Sequence, residues 1–307
     1  MTWPHEPVLY HEVLAALAPR SGGRYVDGTV GAGGHAYGIL TQSAPDGLLL
    51  GLDVDPQALA IAAERLAPFG ERVYLRRASY TTLQRQLAAL GWESVEGIVL
   101  DLGLSSMQLD TPERGFSFRE DAPLDMRFDP DQPVTAADLV NTLEEAALAD
   151  ILWRYGEERR ARQVARVIVK HRPVTTTRQL AEIVAAATTS GKRGMHPATR
   201  TFQALRIAVN RELTNVETVL PQAIDALSPG GRLAIIAFHS LEDRIVKHFL
   251  RQWSDACTCP PDTPHCDCRA RARVRLIKPF PVRPSEDEIA RNARARSARL
   301  RVVERLA

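Results

Sequence analysis

The sequence predicts an α/β protein built on a doubly wound, Rossmann-like parallel sheet, with a helical domain inserted into it. Three observations carry that prediction. An apolar start, Arg24-Tyr25-Val26, runs into the glycine-rich stretch Asp27-Gly28-Thr29-Val30-Gly31-Ala32-Gly33-Gly34-His35. Short apolar runs ending near a polar residue recur: Gly47–Leu52 before Asp53, Val73–Leu75 before Tyr80, and Gly97–Leu100 before Asp101. Over a hundred residues then separate Asp101 from the next such run, which opens at Leu227. A crossover in a parallel sheet usually takes one helix, so this gap is read as a second domain.

Four glycines in the seven residues from Gly28 to Gly34 suit neither a helix nor a strand interior, because glycine loses the most backbone entropy on ordering. They suit a tight turn that brings backbone close to a ligand, with the amides of the following helix facing it. Gly31-Ala32-Gly33-Gly34-His35-Ala36 also satisfies the loose dinucleotide pattern G-x-G-x-x-[GA], so the loop alone leaves a nicotinamide cofactor open.

The second run ends in Asp53-Val54-Asp55-Pro56. Asp53, closing a strand, is placed to accept hydrogen bonds from ribose hydroxyls. Asp55, before Pro56 and the helical stretch 57–66, is better placed as a helix N-cap with Pro at N1. The third and fourth runs bring Tyr80 and Asp101 to the same sheet edge, where open α/β sheets bind ligands. The turn Leu227-Ser228-Pro229-Gly230-Gly231-Arg232-Leu233 before Ala234–Ala237 resembles the entry to the fifth strand of class I methyltransferases.

Six further blocks make the resemblance specific. Asp27-Gly28-Thr29-x-Gly31-x-Gly33-Gly34-His35 is followed by Asp101-Leu102-Gly103-x-Ser105-Ser106-x-Gln108-Leu109-Asp110 and Arg114-Gly115-Phe116-Ser117-Phe118. Then come Pro123-Leu124-Asp125-Met126-Arg127, Phe238-His239-Ser240-Leu241-Glu242-Asp243-Arg244 and Ala295-Arg296-Ser297-Ala298. Together they are similar, over essentially the whole chain, to the ribosomal RNA small subunit methyltransferase H family, also called MraW. The resemblance implies a class I fold and methylation of N4 of a cytidine in the decoding centre of 16S rRNA, with S-adenosylmethionine as methyl donor. It also implies that Gly33, Gly34, His35, Asp53, Tyr80, Asp101 and Gln108 bind the cofactor. Where some relatives carry Phe, this chain has Tyr80, which keeps an aromatic face for the adenosine.

Composition agrees. The chain has 307 residues, 45% of them hydrophobic, and no apolar run long enough to span a membrane. The start Met1-Thr2-Trp3-Pro4-His5-Glu6 lacks the basic and apolar regions of a secretory signal, so the expected location is the cytoplasm. Formal net charge is only +2, which argues against indiscriminate nucleic-acid binding, but its distribution is uneven. Residues 93–153 carry fourteen Asp/Glu against three Arg; residues 154–211 carry thirteen Arg/Lys against three Glu. Residues 269–307 carry twelve Arg/Lys against four acidic residues. Two basic blocks flanking the sheet are read as an RNA-facing surface, since phosphate neutralisation supplies most sequence-independent affinity.

The methyltransferase domain is therefore read as residues 1–112 and 209–307, and the inserted helical, RNA-binding domain as 113–208. Within the insert, Thr135-x-x-Asp138 and Thr142-x-x-Glu145 resemble capping boxes. Helices are predicted over 157–171, 178–188 and 197–213, with the basic loop Ser190-Gly191-Lys192-Arg193-Gly194 between the last two.

All four cysteines fall in one window, Cys257-Thr258-Cys259 and Cys266-Asp267-Cys268. A reduced cytosolic thiol set of this kind suits a structural zinc, with His265 as an alternative ligand, although C-x-C is tighter than the usual spacing. The alternative is a reduced loop without metal.

The chemistry poses one problem, because the lone pair of a cytosine amine is delocalised into the ring. The enzyme has to take the base out of its stack and hold it in line with the methyl donor, with an acceptor on the amine. Asp101 stands where amino-methyltransferases carry an Asp/Asn/Ser-Pro-Pro-aromatic motif, but Asp-Leu-Gly-Leu-Ser-Ser replaces it here. The acceptor is left open among Asp101, Ser105, a backbone carbonyl and groups of the inserted domain. Rival readings are a methyltransferase for DNA or protein amines, a non-catalytic RNA-binding module, and an NAD oxidoreductase. Oligomeric state is open, a homodimer included.

Overall fold

The computed structural model describes residues 7–188, 196–255 and 271–307. The chain divides into two compact units, Met1–Gly103 with Leu213–Ala307, and Leu104–Glu212. Among the described residues no helix is long and apolar enough to cross a membrane.

The first unit carries strands β1 (Arg24–Asp27), β2 (Leu48–Asp53), β3 (Val73–Arg77), β4 (Val95–Asp101), β5 (Leu227–Ala237), β6 (Val274–Val282) and β7 (Arg299–Arg305). Their helices are α1 (Tyr10–Leu17), α2 (Gly34–Gln42), α3 (Pro56–Leu66) and α4 (Leu83–Ala89). The second unit holds α5 (Ser106–Asp110), α6 (Ala136–Thr142), α7 (Glu145–Gly156), α8 (Ala161–Lys170), α9 (Thr177–Ala187) and α10 (Thr199–Asn210). The chain then continues through α11 (Glu212–Ala226), α12 (Ser240–Ser254) and α13 (Glu286–Arg291).

One seven-stranded sheet runs in the order β3-β2-β1-β4-β5-β7-β6. Strands β1 to β5 pair in parallel, with Val26 beside Leu50 and Ile98, and Ile98 beside Leu233. β7 is antiparallel to both neighbours. This doubly wound sheet with a reversed strand near one edge is the class I S-adenosylmethionine-dependent methyltransferase fold.

The continuous apolar runs follow from burial on both faces. Successive residues alternate between two cores. Tyr25, Leu49, Val99, Ala234 and Ile236 pack with α1, α2 and α3 side chains such as Leu14, Ile39 and Leu66. Val26, Leu50, Ile98, Leu233 and Ile235 pack with Leu87, Leu220, Ile224, Val246 and Leu250. The second unit has its own core, built from residues such as Leu124, Leu148, Leu152, Val164, Ile168, Leu180 and Leu205.

Local expectations fare unevenly. Asp55 caps α3 by accepting from the Gln57 amide at 3.0 Å, with Pro56 opening the helix. Thr135 and Asp138 form a complete capping box on α6. Thr142–Glu145 does not: Thr142 is the last residue of α6, its hydroxyl donates to the Asp138 carbonyl, and α7 starts after Glu144 without a side-chain cap. The helix expected from 157 begins at Ala161, because Glu157 takes φ 47° and closes α7.

Part of the C-terminal basic block is spent inside its own unit. Arg299 and Arg301 both reach Asp243 at 2.7 Å, Arg275 reaches Glu304 at 2.6 Å, and Arg273 pairs with Asp225. These four charges staple β6 and β7 to their neighbours. Lys192, Arg193, Cys257, Cys259, Cys266 and Cys268 lie outside the described residues, so the basic-loop and zinc expectations fall there too.

Candidate active site at the carboxyl edge of the sheet

The glycine loop is stitched to strands on both sides. Gly28 N–H donates to the Val99 carbonyl at 3.0 Å and Val30 N–H to the Leu52 carbonyl at 2.9 Å. Gly31 N–H donates to Asp53 Oδ2 at 2.8 Å, and the Asp101 amide donates to Thr29 Oγ1 at 2.6 Å. Asp53 Oδ1 accepts from Asp55 N–H at 2.9 Å. Asp53 thus holds the loop and the start of α3 together, besides any ligand it meets. Thr29, which sequence reasoning missed, ties the loop to the end of β4.

Turn geometry and packing both require the glycines. Gly33, with φ 77°, caps α2 in the left-handed region, and a Cβ there would lie 3.3 Å from Leu66, toward the protein. A Cβ on Gly34 would lie 2.3 Å from Pro7 Cγ. Both positions are therefore constrained by turn geometry and chain packing, independently of any ligand. The first-turn amides of α2 still lack intrahelical acceptors, as at any helix start.

His35 is buried, and its Nε2 faces the Val8 carbonyl at 3.1 Å while the ring stacks with Tyr10. Burial pushes its pKa down to about 4, so the ring is neutral. Tyr80 begins the short turn Tyr80–Thr82 after β3, and its Cβ lies 3.3 Å from where a Gly28 Cβ would stand, which puts it beside the loop.

Three carboxylates end neighbouring strands. Asp27, also missed from sequence, is 1% exposed; burial pushes its pKa to about 7, opposed by the Thr29 amide and reinforced by Asp53. Asp53 is raised by burial, opposed by the Asp55 and Gly31 amides. Asp101 is raised well above the usual carboxylate range: burial comes first, then the charges of Asp27 and Glu242. Its Oδ1 is buried with no hydrogen-bond partner among the described residues. Glu242, after β5, accepts from the Phe238 amide at 3.1 Å, and its other oxygen lies 3.1 Å from His239 Nε2 without making a hydrogen bond.

Gln108 belongs to the second unit. There it is buried and forms a capping box with Ser105: its Oε1 accepts the Ser105 amide at 3.1 Å, and its own amide donates to Ser105 Oγ at 3.2 Å.

A strand edge of this kind, crowded with carboxylates whose ionisation is suppressed, favours a cationic ligand and opposes a pyrophosphate. The motif blocks can now be set beside known proteins. A protein named ribosomal RNA small subunit methyltransferase H from Geobacter sulfurreducens is 53% identical over the whole of both chains. One of the same name from Geotalea uraniireducens is 52% identical over 98% of each chain. A third, from Dehalococcoides mccartyi, is 50% identical over 99% of this chain and 87% of its own. The sequence pattern of the MraW methylase family matches residues 2–306, which takes in every strand described above, and the chain belongs to that family.

Proposed function

We propose that this chain is an S-adenosylmethionine-dependent enzyme that methylates N4 of one cytidine in the decoding centre of 16S rRNA. The observation that carries the cofactor half is the row Asp27, Asp53 and Asp101, with Asp101 Oδ1 buried and unpartnered. S-adenosylmethionine fits that row because it brings an ammonium and a sulfonium, where a nicotinamide dinucleotide would bring a pyrophosphate. The names of relatives about half identical to this chain support the rRNA half.

In this reading the main-chain amides of Gly34 and His35 line the cofactor at the start of α2, beside Gly33, whose own amide is taken by the Val30 carbonyl at 2.7 Å, while the His35 ring is turned to Val8. Asp53 accepts from the ribose and Tyr80 supplies an apolar face, while Gln108 is a cofactor candidate through the family resemblance alone. The cofactor supplies an electrophilic methyl group. The protein's task at the base is to accept the hydrogens of the amine. Asp101 is suited to it, because a carboxylate with a raised pKa is a stronger base once ionised, and its Oδ1 has no competing donor. Ser105 is less free, its Oγ being taken by the Gln108 amide.

The test is methyl transfer from labelled S-adenosylmethionine to small ribosomal subunits and to naked 16S rRNA, followed by nucleoside mass spectrometry. N4-methylcytidine at one position is expected, with loss of the product in Asp101→Ala. Labelled 5-methylcytidine, or label in DNA or protein alone, overturns the assignment.

A further inference from the structure

One side of the second unit carries a feature that its fold does not use. α7 buries Leu148, Ala149, Leu152 and Gly156, and Gly156 approaches α10 so closely that a Cβ would lie 2.7 Å from the Arg200 carbonyl oxygen. Trp153 points the other way and is 58% exposed, the most exposed large apolar side chain among the described residues. Its neighbours do not cover it: Arg154, one residue on, is held by Asp150 at 2.7 Å.

α8 packs beside α7 and is strongly two-sided. Ala161, Val164, Ala165 and Ile168 are buried, while Arg162, Arg166 and Lys170 are exposed at four-residue steps, with exposed Arg159 just before the helix. Arg159, Arg162 and Lys170 make no ion pair or side-chain hydrogen bond among the described residues. Arg166 makes a loose pair with Glu145 at 3.4 Å. That pair, with the short connection 157–160, sets α8 antiparallel to α7. The end of α7 that carries Trp153 therefore adjoins the start of α8, where Arg159 and Arg162 stand. Successive cations on the stripe are about 6 Å apart along the axis. That step is of the order of the phosphate spacing in an extended single strand.

We propose that this face of the second unit docks single-stranded RNA, with a base stacked on the Trp153 indole and phosphates on the Arg159–Lys170 stripe. The inference rests on the rRNA reading above and names a surface for it. A flat aromatic flanked by unpaired cations is the usual platform for unpaired nucleotides, since any base offers a π-face. A protein partner would be expected to meet a broader apolar patch, whereas here a single ring stands among charges.

The test uses the full chain with a uridine homopolymer of about ten nucleotides and, separately, 16S rRNA. Trp153→Ala should weaken homopolymer binding roughly fivefold to a hundredfold, and Trp153→Phe should restore most of it. Arg162→Ala should lower the slope of log affinity against log salt by roughly 0.7, while Trp153→Ala leaves the slope unchanged. Because Trp153 is exposed, unchanged melting and unchanged S-adenosylmethionine affinity should accompany the loss. Wild-type affinity in Trp153→Ala, or a Phe variant no better than Ala, overturns the proposal. So does loss of self-association in Trp153→Ala with RNA affinity intact, which would make the face a protein interface. Failure of the wild-type chain to bind or methylate any RNA would instead remove the rRNA reading beneath it.

Discussion

Asp27→Asn separates the electrostatic cost of the sheet edge from its packing. Asp27 is 1% exposed and its pKa is pushed from 3.8 to about 7, mainly by burial. Between those values the folded chain keeps the proton and the unfolded chain has lost it. Stability is therefore full below the unfolded value, falls as pH rises through the window, and levels off above about pH 7. About three pH units at about 1.4 kcal/mol each give a loss of about 4 kcal/mol. Asparagine is isosteric, stays neutral, and keeps an oxygen for the Thr29 amide that donates to Oδ1 at 3.2 Å. Urea unfolding of both proteins at about pH 5 and about pH 8.5 reads the effect as a shift in midpoint at constant slope. At about pH 5, roughly one unit above the unfolded value, about 1.6 kcal/mol of the loss is already present, so the gap in favour of the variant should widen by about a further 2–3 kcal/mol by about pH 8.5. Parallel pH dependence in the two proteins would mean that Asp27 is ionised in the fold, and would refute the reasoning.

Four other outcomes follow from the same edge and its surroundings. S-adenosylmethionine binding near pH 7 should release protons, because a cation favours the ionised forms of Asp27, Asp53 and Asp101; calorimetry in buffers of different ionisation enthalpy measures this, and zero release contradicts it. Asp53→Ala should cost about 2–3 kcal/mol of stability through the Gly31 and Asp55 amides it leaves without acceptors, and should also weaken cofactor binding. Unchanged affinity in the folded variant would remove Asp53 from the ligand contacts. Gly33→Ala should cost about 1–2 kcal/mol from its positive φ yet largely keep cofactor affinity, since the new methyl faces Leu66; calorimetry showing affinity lost without destabilisation would reverse that order. A structural zinc on Cys257, Cys259, Cys266 and Cys268 requires about one metal per chain, released by Cys266→Ser, and metal-free protein purified without chelators would rule it out.

What could be read from the sequence is what repeats a local rule. Strands β1 to β5 are apolar on both faces, so their runs stand out, and Asp55-Pro56 is a cap written in two letters. β6 and β7 were not legible because their strand character is masked by arginines. Arg299 and Arg301 look like a basic tail until Asp243, far away in the chain, is seen to neutralise them. The site is legible to the same degree. Asp53 and Asp101 close recognisable strands, whereas Asp27 reads as part of a glycine turn and Thr29 as filler. Their roles arise from cross-strand contacts that no local pattern encodes, such as Thr29 Oγ1 receiving the Asp101 amide.

The interruption of the first unit has a consequence for how the protein is made. β4 and β5 are hydrogen-bonded neighbours, Ile98 beside Leu233, yet the whole Leu104–Glu212 unit is synthesised between them. Four strands thus leave the ribosome with one edge unsatisfied and must wait for the fifth. The second unit, with a core of its own, can fold during that wait and replace a long floppy loop by a structured one. Substitutions that loosen its interior, for instance at Leu152 or Ile168, should therefore slow closure of a sheet to which those residues do not belong, lengthening the time its bare strand edge is open to aggregation.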